Sequence, residues 1–138
     1  MARFAVRRLE EIPRIPPSEP GDFDWFPLQH YFRLTAFGVN VYVATEDGGE
    51  VITTHSESDK RQEELYLVVA GEATFTLDAE EFDAPAVTVV AVPEWSVVRS
   101  ATAKTAGTTV IAIGDQRKER FETSWQPKWF DGVPQIDE

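Results

Sequence analysis

From Phe37 onward, apolar and polar positions alternate with a period of two. Val39, Val41 and Val43 fall on one face of an extended segment, and Asn40, Tyr42 and Ala44 fall on the other. Asp47-Gly48-Gly49 then supplies a turn, so the pattern predicts a strand leading into a hairpin. Further β-branched or apolar runs occupy 51–54, 65–70, 73–77, 87–92, 97–101 and 108–113. Turn signals separate them at Asp59-Lys60, Gly71, 83–85, Pro93 and Ala106-Gly107. About seven or eight short strands, roughly ten residues apart and with no long amphipathic helix between them, predict an all-β sandwich or barrel rather than a parallel α/β sheet.

The pattern also divides the chain. A helical turn over 6–12 is stopped by Pro13, Pro16, Pro17 and Pro20, so residues 1–36 read as an irregular arm. Residues 37–114 read as the barrel, and 115–138 as a tail. Phe23, Trp25, Phe26 and Leu28 in the arm need burial, either on their own barrel or on a neighbouring subunit. Phe121, Trp125, Trp129 and Phe130 in the tail are expected to cap the barrel or a dimer interface.

Composition narrows the function classes. With 138 residues, one core is the default. The absence of cysteine excludes a disulfide scaffold, a thiolate metal site and a thiol nucleophile. A formal charge of −11 repels phosphate backbones and anionic lipid, so neither nucleic acid nor a membrane is an expected partner. Residues 1–20 hold no apolar run long enough for a signal peptide or a membrane span, and a cytoplasmic location is expected.

The most informative stretch runs from His55 to Gly71. It reads Thr54-His55-Ser56-Glu57, a polar loop, then Gln62-Glu63-Glu64-Leu65-Tyr66-Leu67-Val68-Val69-Ala70-Gly71; after a further strand, the chain reaches Val92-Pro93. This resembles the first motif of the cupins, in which a glycine leads to a His-x-His pair, a glutamate and a second glycine. Gly49 and His55 take the first glycine and first histidine places, and Glu64 and Gly71 keep the required spacing. Glu57 stands where the second histidine belongs, and the loop before Glu64 is longer than the motif allows. In the second motif Pro93 matches, but Trp95 replaces the glycine and Val98 the last histidine. The chain is also similar to bacterial cupin-like proteins with a His-x-Glu element and an arginine after the second-motif proline; Gln62 holds the place of a later histidine of that subgroup, and Arg99 that of the arginine. The resemblance implies a cupin-like β-barrel, a double-stranded β-helix or jelly roll, in a single-domain homodimer.

A cupin enzyme usually holds its metal with three histidines and a glutamate. His30 and His55 are the only histidines here, so one chain cannot build that site. His55, Glu57 and Glu64 remain as a two-carboxylate, one-imidazole set for a divalent metal, with Gln62 as a weak fourth donor. The alternatives are a metal-free hydrogen-bonding or acid–base cluster, and an ordinary polar histidine beside the barrel mouth. Alternation puts Gln62, Glu64, Tyr66 and Val68 on one face, which the resemblance makes the lumen. Tyr66 and Tyr42 would add hydroxyls there, and Phe75 an apolar wall. Arg99 reads first as a solvated surface residue, since alternation opposes it to Val98; a bulge after Pro93 would instead give the pocket a fixed cation. His30, in an aromatic context, reads as a packed or surface residue.

The expected role is binding of a small organic molecule in the barrel, with no tightly bound cofactor. Alternatives are a metal-dependent oxygenase or isomerase using His55, Glu57 and Glu64, and a structural or regulatory module that has lost its site.

Overall fold

The computed structural model describes residues 3–116 and 118–137. Its strands form two antiparallel sheets. The first contains β1 (Asp24–Phe26), β2 (Gly38–Val43), β4 (Gln62–Ala70), β7 (Thr88–Val92) and β9 (Thr109–Gln116), in the spatial order β1-β2-β9-β4-β7. The second contains β3 (Glu50–His55), β5 (Glu72–Leu77), β6 (Glu80–Pro85) and β8 (Arg99–Ala103), in the order β3-β8-β5-β6. The architecture is the expected all-β jelly roll. No helix among the described residues is long and apolar enough to cross a membrane.

Alternation places the core as the sequence predicts. On β4, Tyr66 and Val68 point inward and are buried, whereas Leu65 and Val69 point outward and are each 38% exposed. The inward residues meet Val51, Ile52 and Phe75 from the second sheet and Val110 from β9. Small residues, Ala73, Ala84, Ala101 and Ala103, let the two sheets close on each other.

The arm wraps its own barrel. Trp25 of β1 lies opposite Tyr42 of β2, and Ile15 forms a further bridge to Trp25. A second apolar cluster, with Ile12, Phe26 and Val41 at its centre and Leu28 and Phe32 of the α1 (Leu28–Tyr31) region around it, fastens the arm to the outer face of the first sheet. The first motif glycine explains how closely the arm approaches: a Cβ on Gly49 would lie 2.9 Å from the Gly21 carbonyl oxygen.

Three expectations need correction. The 83–85 segment is not a turn but the end of β6, whose edge position tolerates Pro85. The real turn is Asp78-Ala79, which the sequence hides because neither residue is glycine although both have positive φ. The strand expected over 97–101 begins only at Arg99. The tail aromatics do not cap the barrel of their own chain: Phe121 is 87% exposed, Trp125 69% and Trp129 73%.

Candidate functional site

The strand pairing brings the two motif regions to one end of the barrel. Glu64 lies between Val92 of β7 and Gly114 of β9, and His55, at the end of β3, pairs with Arg99 at the start of β8. A Cβ on Gly114 would lie 3.0 Å from Glu64 Cγ, so the absence of a side chain there makes room for the carboxylate. The motif's second glycine, Gly71, turns the chain from β4 into β5 with φ +74° against the buried Thr108.

His55, Glu57 and Glu64 converge, with donor atoms within 4.8 Å of one another. His55 Nε2 lies 2.9 Å from Glu57 Oε1 and 3.7 Å from Glu64 Oε1. Its other ring nitrogen, Nδ1, is 2.6 Å from the Thr53 carbonyl, which accepts a proton-bearing Nδ1 and fixes the ring. Gln62 Nε2 donates to Glu57 Oε2 at 3.0 Å, and the Tyr66 hydroxyl donates to Glu64 Oε1 at 2.5 Å.

Arg99 corrects the surface reading. Its side chain is fully buried, and Nη1 donates to Glu64 Oε1 at 2.8 Å. Nε and Nη2 donate to the Val97 carbonyl at 3.1 and 2.9 Å, and Nη2 also reaches the Trp95 carbonyl at 3.3 Å. The same Trp95 carbonyl accepts the Glu57 backbone N–H at 2.9 Å. The residue standing in place of the motif glycine thus ties Glu57 and Arg99 together through its backbone. Val98, aligned with the missing histidine, is 46% exposed, and the residue after it turns inward.

These contacts sort the protons. The carboxylates, Glu64 foremost, outweigh the cost of burying a charge and raise His55 to about 9, so it is an imidazolium at neutral pH. Burial alone would raise Glu64, but the nearby His55 and the hydrogen bonds from Tyr66 and Arg99 prevail and hold it below the usual carboxylate range. Glu57 moves the other way, raised by burial and by the Glu64 charge. Tyr42 is pushed up to about 12, chiefly by burial, and Tyr66 is raised further for the same reason. The site therefore holds one fixed anion, one fixed guanidinium, and a His55–Glu57 pair able to hold and pass a proton.

A cavity of about 100 Å³ opens onto this cluster, lined by Tyr42, Thr53, His55, Glu57, Glu64 and Tyr66 among others. Of the residues predicted from sequence, Gln62 and Arg99 stand behind the carboxylates rather than in the lining. Phe75 is buried in the core against Tyr66, with ring centroids 5.6 Å apart, and forms no pocket wall. His30 is exposed on α1 and lines no cavity near the cluster. Phe23 lines the cavity and went unrecognised in the sequence, where only its need for burial was visible. A larger cleft of about 1020 Å³ runs mainly between the tail and the outer face of the first sheet, past Leu65, Ile113 and Phe121; Glu64 borders it too, but His55 and Glu57 line only the smaller cavity.

No family model and no curated relative matches the chain in sequence. Solved structures do match it in shape. A cupin protein from Bacteroides fragilis has a TM-score of 0.68 at 19% identity, covering 99% of this chain and 100% of its own. A sugar phosphate isomerase of the cupin superfamily from Silicibacter pomeroyi has a TM-score of 0.66 at 21% identity, covering 81% of this chain and 76% of its own. The Streptomyces protein PAC13, with uridine, has a TM-score of 0.60 at 16% identity, covering 83% and 82%. The chain has the cupin fold.

Proposed function

We propose that the barrel mouth binds a small, hydroxyl-bearing organic molecule without a metal. The observation that carries this reading is the buried Arg99 guanidinium, 2.8 Å from Glu64. With His55 protonated, two positive charges oppose the two carboxylates, and the cluster is compensated by its own side chains.

His55, Glu57 and Glu64 match a divalent metal by donor type and closeness. Their partners do not. Glu64 Oε1 already accepts hydrogen bonds from Arg99 and Tyr66, and a metal would require a neutral His55 beside a guanidinium that stays charged. The residues present do not fit a resident divalent ion. Hydrogen-bonding groups facing the cavity suit a polar ligand instead, in keeping with the uridine-bound protein that shares the fold. The His55–Glu57 pair also has the geometry for proton transfer to or from such a ligand, which makes a metal-free isomerisation the second reading.

Elemental analysis of protein purified without a chelating resin tests the proposal. Substoichiometric transition metal, unchanged in His55→Ala, is expected; stoichiometric metal that disappears in that variant would overturn it.

A further inference from the structure

The cavity at the cluster has a neighbour. A second chamber of about 350 Å³ lies between the arm and the barrel, with Pro16, Pro17, Asp22, Trp25 and Glu50 in its walls. Phe23, Tyr42 and Thr53 line both chambers. The two chambers therefore abut at these three residues.

Size requires that anything but the smallest ligand at the cluster reach into the outer chamber. At about 100 Å³ the inner chamber is far below the several hundred cubic ångströms of ordinary small-molecule pockets, whereas the outer one falls within that range. The inner chamber suits a head of a few atoms, and its walls are hydrogen-bonding groups. The Tyr42 hydroxyl, between the chambers, makes no hydrogen bond to any described residue. It stays protonated in the neutral range and is free to meet a ligand oxygen.

The outer chamber has a different chemistry. Trp25 is held in place by Nε1–H donating to Asn40 Oδ1 at 2.8 Å. Its ring centroid is 6.4 Å from that of Tyr42, and the Phe23 centroid is 4.9 Å from Tyr42 on another side. Fixed aromatic rings in a half-open groove favour a flat ring. Charge supplies the selection. Asp22 and Glu50 add two carboxylates, neither chamber is lined by lysine or arginine among the described residues, and the charges of His55 and Arg99 are already matched to Glu57 and Glu64.

We propose that the two chambers form one bipartite site for an uncharged molecule, which places a hydroxyl-bearing head against His55, Glu57 and Tyr42, stacks a flat ring in the arm groove, and bears no phosphate. This rests on the metal-free binding reading above and adds the ligand class.

Isothermal calorimetry of the full chain with uridine, ribose and uridine 5′-monophosphate tests it. Uridine should bind, with ribose and the monophosphate each weaker by about tenfold or more, a difference of about 1.4 kcal/mol. Trp25→Ala should abolish the advantage of uridine over ribose. Tyr42→Phe, which removes one oxygen and leaves the ring, should weaken uridine severalfold with an unchanged melting temperature. A monophosphate that binds as tightly as uridine overturns the charge selection. A Trp25→Ala variant, folded by circular dichroism, that keeps the uridine-to-ribose ratio overturns the outer subsite while leaving metal-free binding standing. If none of the three binds, the bipartite proposal falls; stoichiometric metal in the same preparation overturns the reading beneath it.

Discussion

Arg99 directs its guanidinium at three backbone carbonyls and one carboxylate, and its side chain has no exposure to solvent. Breaking such a pair from one side leaves an uncompensated buried charge, which costs more than the intact pair contributes. Arg99→Met should therefore destabilise the fold by about 3–5 kcal/mol in urea unfolding. Glu64→Gln combined with Arg99→Met should cost clearly less than the sum of the single changes; strict additivity would show that the two groups do not compensate each other. His55 gives a pH dependence of definite sign. Its folded value near 9 lies above its ordinary 6.5, so its stabilisation is complete below about 6.5 and fades as pH rises through 9. Glu64, held low, contributes in the opposite sense and loses its part as pH falls into the acid range. The urea midpoint should decline between pH 7 and 10, and His55→Gln should flatten that decline. An unchanged slope in the variant would remove His55 from the account.

Between elements, turns and edges decide the details that patterning leaves open. Asp78 and Ala79 join β5 to β6 with φ of 52° and 80°, a region that disfavours any residue with a Cβ. The turn is held by the Asp78 side chain, which accepts the Val98 N–H at 2.9 Å. Ala79→Gly should thus raise stability by about 0.5–1 kcal/mol, measured as a shift in urea midpoint at constant slope; a loss would show that the strain is relieved elsewhere. The same elements show what the sequence made legible. Period-two alternation correctly separated the two faces of β2 and β4, but the cupin resemblance, not apolarity, assigned the Glu64 face to the lumen, and Val41 and Val43 of β2 pack outward beneath the arm. The cupin motif's glutamate and glycine spacing likewise located Glu64 and Gly71, since the turn after β4 demands a positive φ. Arg99 was harder to place because the strand starts at that residue, so alternation counted from Val98 had no strand to follow. The role of Phe23 depends on how the arm folds back, and no local pattern carries that information.

At the scale of the whole molecule, two apolar clusters of unequal size share the work of folding. The larger fills the space between the sheets, and the smaller, centred on Ile12, Phe26 and Val41, fastens the arm outside them. Fewer buried side chains hold the arm, so it should open at a lower free energy than the barrel. Native-state hydrogen exchange should find the amides of β1 less protected than those of the central strands β4 and β9; equal protection would make arm and barrel one cooperative unit. The packing of Gly21 against Gly49 then acquires a kinetic meaning. Phe23 and Trp25 travel with the arm, so each undocking of that segment also unroofs the outer chamber. For a molecule bound there as proposed, the lifetime would follow how often the arm lets go. A substitution at Ile12, which lines neither chamber, would shorten residence by lowering the closed fraction, without altering any group that the ligand touches.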